Sequence, residues 1–175
     1  MTAEDTELAP LACIRGTEEG ETNRLIAAAA AHLLARGVAV IGGVQANTPR
    51  ADRCKCDMDL KVLPDGPVIR ISQDLGNEAR GCRLDYAALE QAVALSEAEL
   101  GAGTRMLIVN KFGKREAEGG GFRPLIASAL DRGLPVLVGL GDKNAEAFTA
   151  FAGDFAETIA PTEAALIAWC DRVLA

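Results

Sequence analysis

The sequence is poor in histidine, the side chain that most often exchanges protons near neutral pH. His32 is the only one, and it lies between apolar neighbours in an alanine-rich segment that predicts a helix. Every Ser-His-Asp or Cys-His arrangement would depend on this residue, which lies mid-helix and away from the loops that follow the strands. We therefore expect His32 to be a packed or helix-surface residue and exclude that type of nucleophilic catalysis.

Positive charge and long apolar runs are also scarce. The 18 Lys and Arg are outnumbered by 25 Asp and Glu, so the net charge is -7. A nucleic-acid surface needs a surplus of clustered cations, so we expect no nucleic-acid partner and only a local anion site.

No apolar run could span a bilayer, and residues 1–10 are acidic and polar, unlike a signal peptide. We expect a cytoplasmic protein with no membrane partner, forming one domain over residues 1–175 with residues 1–10 flexible; a homo-oligomer is left open.

Apolar strands and helical segments alternate along most of the chain. The run 11–15 precedes a glycine-containing turn, a helix predicted over 22–37 and a β-branched strand over 38–43, which together make a βαβ unit. Alternating segments on either side of Pro-Asp-Gly then predict an inserted antiparallel hairpin. Further predicted helices cover 84–100, 122–133, 144–153 and 162–174, and further strands cover 106–110 and 135–140. The predicted fold class is α/β, a three-layer sandwich with a mostly parallel sheet.

A second loop, "NKFGKREAEGGG" over 110–121, combines four glycines with Lys111, Lys114 and Arg115 and leads into a predicted helix that carries Arg123. Ligands of such sheets bind beyond the carboxyl ends of the strands. Free backbone N–H groups, cationic side chains and a helix N-terminus can together hold an anion. The alternative is a solvated loop without a ligand.

The first loop, within "CIRGTEEGETNRLI" at 13–26, is similar to a phosphate-binding P-loop, G-x-x-x-x-G-K-[ST]. Gly20 and Thr22 match its second glycine and its hydroxyl residue. Glu21 occupies the lysine position, and Gly16 lies one place after the expected first glycine. Gly16, Gly20 and Thr22 are therefore candidates to bind an anion through backbone and hydroxyl donors.

Over about residues 11–140, with "CDMDLKVL", "ARGCRLDYAALEQAV" and "LIVNKFGKREAEG", the chain resembles P-loop nucleoside-triphosphatases of the THEP type. It more specifically resembles an uncharacterised proteobacterial family of unknown function, distantly similar to those enzymes and often encoded beside molybdate-uptake genes. The resemblance implies a P-loop-NTPase-like sandwich and a link to molybdenum.

The chain departs from those enzymes at the positions that carry their chemistry. Asn110 and Lys111 stand where they have an Asp-Glu pair that orients magnesium and water, whereas Gly113, Lys114 and Glu116 match. A carboxylate at position 21 would repel phosphates that a lysine attracts. We also predict that Glu21 and Lys111 form an ion pair within the former site.

"RCKCDMDL" and "RGCRLD" place Cys54, Cys56 and Cys82 where thiolates could bind zinc or a similar metal, provided that Cys82 completes the site. The alternatives are small apolar side chains near a hairpin or a redox disulfide. Cys13 and Cys170 are expected in the core.

The function that follows is a degenerate P-loop protein that binds an anionic small molecule, a nucleotide or an oxyanion such as molybdate, without hydrolysing it. The alternatives are a metal-binding or thiol-dependent protein that uses the three cysteines, and a residual nucleoside-triphosphatase. The altered loops favour a protein that is not an enzyme.

Overall fold

A seven-stranded sheet forms the centre of the structure. The computed structural model describes residues 10–48, 57–73 and 84–175. The strands in this part of the chain are β1 Leu11–Ile14, β2 Val40–Thr48, β3 Asp57–Leu63, β4 Val68–Arg70, β5 Met106–Phe112, β6 Val136–Leu140 and β7 Glu157–Ile159. Their order across the sheet is β4-β3-β2-β5-β6-β1-β7.

The helices connect the strands and cover the sheet. They are α1 Glu21–Ala35, α2 Tyr86–Ala98, α3 Lys114–Ala117, α4 Arg123–Asp131, α5 Ala145–Ala152 and α6 Glu163–Leu174. Two of them begin at side-chain caps: Asp85 accepts a hydrogen bond from Ala88 N at 3.1 Å, and Thr162 accepts one from Ala165 N at 3.2 Å. No helix within the described ranges is long and apolar enough to cross a membrane.

The predicted fold class is confirmed. The pairs β2–β5, β5–β6, β6–β1 and β1–β7 are parallel, whereas β2–β3 and β3–β4 are antiparallel. In the predicted hairpin Leu60 pairs with Ile69, and Arg70 lies 2.5 Å from Asp59 and 3.2 Å from Asp57. The hairpin extends the parallel sheet at the β2 edge.

Alternating side chains of the strands divide the core into two layers. In β5, Leu107 and Val109 pack on one face with residues of α2, α4 and α5, and Met106 and Ile108 pack on the other with α1 and α6. All four side chains are fully buried. Since both faces of a parallel sheet are covered, its strands carry continuous apolar runs, which is why the sequence predicted them.

The structure differs from the predicted elements in four main places. Strand β5 continues to Phe112, so residues 110–112 of the predicted second loop belong to the strand. Strand β2 continues to Thr48 because residues 42–48 pair with β3. Strand β7 was not predicted, since Glu157 and Thr158 are exposed and only Ile159 is buried. Helix α3 has four residues, too short for an apolar period to be visible.

The carboxyl ends of β1, β5 and β6 bring the first and second loops together. Gly139 of β6 is the closest packing point: a Cβ atom there would lie 2.0 Å from the main-chain oxygen of Asn110 and 3.1 Å from Thr22 Cγ2. Only glycine lets these three segments approach so closely.

We predict that Gly139→Ala destabilises the protein by about 1–3 kcal/mol, because backbone atoms would have to move to admit the methyl group. Gly141→Ala is the matched control, since a Cβ there would meet nothing within 4 Å. Denaturant unfolding measures both free energies. Equal stabilities of the two variants would contradict the close packing at position 139.

Candidate functional site

Two backbone N–H groups of the first loop donate hydrogen bonds to side chains at the start of α1. Thr17 N donates to Glu21 Oε1 at 3.0 Å, and Gly16 N donates to Thr22 Oγ1 at 2.8 Å. Gly20 has a φ of 78°, a left-handed conformation that favours glycine, and it precedes α1 directly. The loop therefore holds a carboxylate of its own at backbone donors of the kind that a P-loop offers to phosphate.

Glu21 does not pair with Lys111 as predicted. Among the ion pairs of the described residues, Glu21 Oε2 lies 3.8 Å from Arg24 Nη2, one turn further along α1, and the Glu21 side chain is 15% exposed. Because α1 begins at residue 21, its first side chain can reach back to the loop that precedes it. The predicted contact between the two loops is thus replaced by contacts within the first loop and α1.

Arg15, at the position of the first P-loop glycine, forms an ion pair with Asp142 in the loop after β6. Next to it, a small cavity of about 310 Å³ is lined in part by Arg15, Cys13 and Thr158. Cys13 is buried, with its Sγ 3.7 Å from Thr158 Oγ1, and Cys170 is a buried residue of α6. Both cysteines lie in the core, as predicted.

Asn110 is a fully engaged amide at the end of β5. It is 3% exposed, its Oδ1 accepts a hydrogen bond from Gln45 N at 2.8 Å, and its Nδ2 donates to Asn23 Oδ1 at 2.9 Å. The pairing of β5 with β6 shifts register between Val109 and Phe112, a type of irregularity that redirects side chains. Asn110 therefore ties β2, β5 and α1 together, and as a neutral amide it lacks the charge of a metal-binding carboxylate.

The four cations predicted from the second loop divide into two groups. Lys111 and Lys114 are exposed and line a large cleft. Arg115 lies 2.9 Å from Glu90 of α2 and 5.2 Å from the centre of the Tyr86 ring.

Arg123 is also held by internal contacts, since it lies 4.9 Å from the Phe151 ring centre and donates to the Glu116 main-chain oxygen at 3.4 Å. Only Lys111 and Lys114 of the four are thus oriented towards the cleft, while Arg115 and Arg123 fasten the loop to α2 and α5.

Glu116 of α3 is a buried carboxyl group, 3% exposed, that also lines the cleft. Its Oε1 accepts a hydrogen bond from Gly113 N at 3.4 Å, and its Oε2 has no partner among the described residues. Burial raises the pKa of Glu116 to about 7, against the opposing effect of the Gly113 hydrogen bond. In the sequence Glu116 is only a match to the family motif, and its burial depends on the fold around α3.

The cleft has a volume of about 880 Å³ and lies at the carboxyl edge of the sheet, where such folds bind ligands. Its polar lining comes from both loops and from β2, and its apolar lining comes from the hairpin, α2 and Phe122. The lining residues are Glu19, Gln45, Met58, Leu60, Ile71, Leu84, Leu89, Asn110, Lys111, Gly113, Lys114, Glu116, Phe122, Lys143 and Asn144. The structure adds Lys143 to the cleft as a third lysine, beside Lys111 and Lys114.

The predicted metal ligands Cys54, Cys56 and Cys82 lie outside the described residues, so a shared thiol site stays a prediction. Within residues 10–48, 57–73 and 84–175, no group of three or more His, Cys, Asp or Glu side chains could hold a metal ion. His32 is a helix-surface residue, as expected, with Nε2 3.1 Å from Asp171 Oδ1.

Residues 11–169 match a family described as protein of unknown function (DUF2478). The molybdenum import ATP-binding protein ModC 2 of Bradyrhizobium diazoefficiens is 31% identical over 159 residues. That match covers 91% of this chain and 18% of the relative, so the chain spans less than a fifth of its length.

The solution structure of a human cancer-related nucleoside triphosphatase is similar to the fold, with a TM-score of 0.65 and 19% sequence identity. The likeness covers 94% of this chain and 97% of that structure. It confirms the fold predicted from the resemblance to P-loop nucleoside-triphosphatases.

We predict that Glu116 makes the stability of the protein fall as pH rises. The folded state binds this proton more tightly than the unfolded chain, because the pKa of Glu116 is about 7 against an ordinary 4.5. This contribution to the free energy of unfolding is complete below pH 4.5 and is lost as pH rises through about 7. The loss is on the order of 3 kcal/mol.

Denaturant unfolding of wild type and Glu116→Gln at several pH values measures this contribution as the difference between the two curves. Glu118→Gln is the control, since Glu118 is an exposed carboxylate beside the same helix. Curves of wild type and Glu116→Gln that stay parallel from pH 4 to pH 8 would contradict the prediction.

Proposed function

This chain belongs to the DUF2478 family, and we propose that it is a degenerate P-loop protein that binds a small anionic molecule without hydrolysing it. The ligand is a nucleotide or an oxyanion such as molybdate. The observation that carries the proposal is the Glu21 carboxylate, which accepts a hydrogen bond from Thr17 N in the first loop. A nucleoside triphosphate in the usual pose would have to displace this carboxylate and would meet no lysine at position 21.

The position of Asn110 supports the loss of hydrolysis. Hydrolysis in P-loop enzymes depends on a metal ion held near the β- and γ-phosphates and on a group that orients the attacking water. The side-chain oxygen of Asn110 accepts a hydrogen bond from Gln45 N, and its side-chain nitrogen donates one to Asn23 Oδ1. The amide is therefore already engaged in the fold. The adjacent Lys111 is a cation, which repels a metal ion instead of binding it.

The cleft supports binding of an anion beside the first loop. Lys111, Lys114 and Lys143 line it, and none of them forms an ion pair with another described residue. In a chain with a net charge of -7, three lysines at one cleft, with no ion pair among the described residues, form a local concentration of positive charge. We therefore assign the charge of the anion site to these lysines; of the donors predicted in the first loop, Gly16 N already donates to Thr22 Oγ1.

The molybdenum link of the proposal is supported by one relative. The protein that is 31% identical over 159 residues is described as a molybdenum import ATP-binding protein. We propose that the present chain acts in molybdenum homeostasis, either by binding the oxyanion or by binding a nucleotide.

We expect purified protein to show no magnesium-dependent hydrolysis of ATP or GTP above that of a Glu21→Ala variant. The physical reason is that both the lysine and the acidic pair of the hydrolytic enzymes are replaced. Release of inorganic phosphate is the readout. Turnover by the wild type that requires Lys111 or Glu21 would instead support a residual nucleoside-triphosphatase.

We also expect Lys111→Ala and Lys114→Ala each to weaken binding of ATP or of molybdate by about fivefold, close to 1 kcal/mol per partly exposed charge. Isothermal titration calorimetry at low ionic strength measures the affinities. Arg132→Ala is the matched control, because Arg132 is exposed at the end of α4 and does not line the cleft. Binding of neither anion, or binding that the lysine variants leave unchanged, would refute this anion site.

A further inference from the structure

One side of the cleft is apolar and offers no hydrogen bond or charge to an inorganic oxyanion. Leu60 and Ile71 of the hairpin, Leu89 of α2 and Phe122 before α4 line it with buried side chains. Met58 of β3 lines it as a half-buried side chain. A tetrahedral oxyanion would fill a small part of a cleft of about 880 Å³ and would leave this apolar floor in contact with water.

The opposite side of the cleft supplies positive charge at the ends of the strands. Lys111 lies within the register shift of β5, Lys114 begins α3, and Lys143 lies in the turn after β6. The cations therefore come from separate segments around an apolar surface. This division matches a molecule that carries its negative group at one end and a flat apolar body at the other.

Glu116 adds a polar atom that the fold does not satisfy. The residue is 97% buried by the fold yet lines the cleft, and its Oε2 has no hydrogen-bond partner among the described residues. A buried polar atom without a partner costs about 1–3 kcal/mol, so such atoms in native structures require an explanation. A Cβ atom on Gly121 would lie 2.2 Å from Oε2, so glycine at this position leaves space for the carboxyl group.

We propose that the cleft binds a ring-bearing organic anion, with its ring over the apolar floor, its negative group beside the lysines and an acceptor atom that faces the Glu116 carboxyl group. This inference rests on the proposed function and names the class of its ligand. An anionic ligand disfavours a second negative charge nearby, so the complex holds Glu116 in its protonated form.

Charged groups from each neighbouring element act on Glu116. Burial raises its pKa to about 7, the Glu90 carboxylate on α2 adds to the rise, and the Lys111 ammonium group opposes it. Arg115 on α3 is held by Glu90 at 2.9 Å, and Arg123 on α4 donates to the main-chain oxygen of Glu116 at 3.4 Å. Since ligand binding requires the neutral carboxyl group, affinity is full well below pH 7 and falls as pH rises through about 7.

Fluorescence titration with anilinonaphthalene sulfonate, a ring-bearing anion, tests the inference on the folded full-length chain. Wild type is expected to bind this probe about tenfold more weakly at pH 8 than at pH 6, as ionisation of a group with a pKa near 7 requires. Glu116→Gln keeps a donor at both pH values, so its affinity is expected to change less than about twofold.

Met58→Gln tests the apolar floor. It is expected to weaken binding of the probe about fivefold and to leave the affinity for molybdate unchanged, because molybdate does not contact the apolar floor. Val68→Gln is the matched control, since Val68 is 61% exposed on β4 and does not line the cleft. Circular dichroism confirms that each variant is folded before titration.

Each outcome separates this inference from the proposed function. Molybdate binding that depends on Lys111 and Lys114, without tighter binding of the probe, overturns the ligand class and leaves the anion site intact. A Met58 effect with the same pH dependence in wild type and Glu116→Gln overturns the role of Glu116. Saturable binding of neither anion overturns both proposals.

Discussion

The hydrogen bond from Thr17 N to Glu21 Oε1 determines how the rest of the site is organised. In a P-loop, backbone N–H groups before a helix point at phosphate, and a lysine adds positive charge. Here the residue at the lysine position is an acid whose own oxygen meets such an N–H group. The sheet and helices of a nucleotide-binding fold are retained, while the charge at the centre of the first loop is reversed.

This reversal shifts positive charge from the first loop to the adjacent cleft. Lys111 lies near the end of β5, and Lys114 and Lys143 lie on neighbouring segments of the same cleft. Arg115 and Arg123 stabilise the second loop through Glu90, Tyr86 and Phe151. Two of the loop's cations therefore serve packing and two line the cleft, a division that their sequence spacing cannot distinguish.

The parallel strands could be predicted because buried strands carry runs of apolar residues, as in β5 and β6. The hairpin was predictable from its alternation around Pro-Asp-Gly, and the fold class followed from both. Strand β7 was missed because only Ile159 is buried in it. The contacts of Glu21 could not be foreseen, since they depend on α1 beginning at that residue.

Residues brought together from distant segments were the least predictable part of the site. The Asn110 amide bonds to Gln45 N and Asn23, 65 and 87 positions away, and no local pattern encodes those partners. The burial of Glu116 likewise depends on distant segments, since α3 contacts β5 and its Arg115 pairs with Glu90 of α2.

The most direct test of the reversed first loop is a crystal structure of the protein soaked with GTP. We expect an anion beside Lys111 and Lys114, with Glu21 Oε1 still within hydrogen-bond distance of Thr17 N. A triphosphate held by the backbone of residues 16–22, with the Glu21 side chain displaced into solvent, would contradict it.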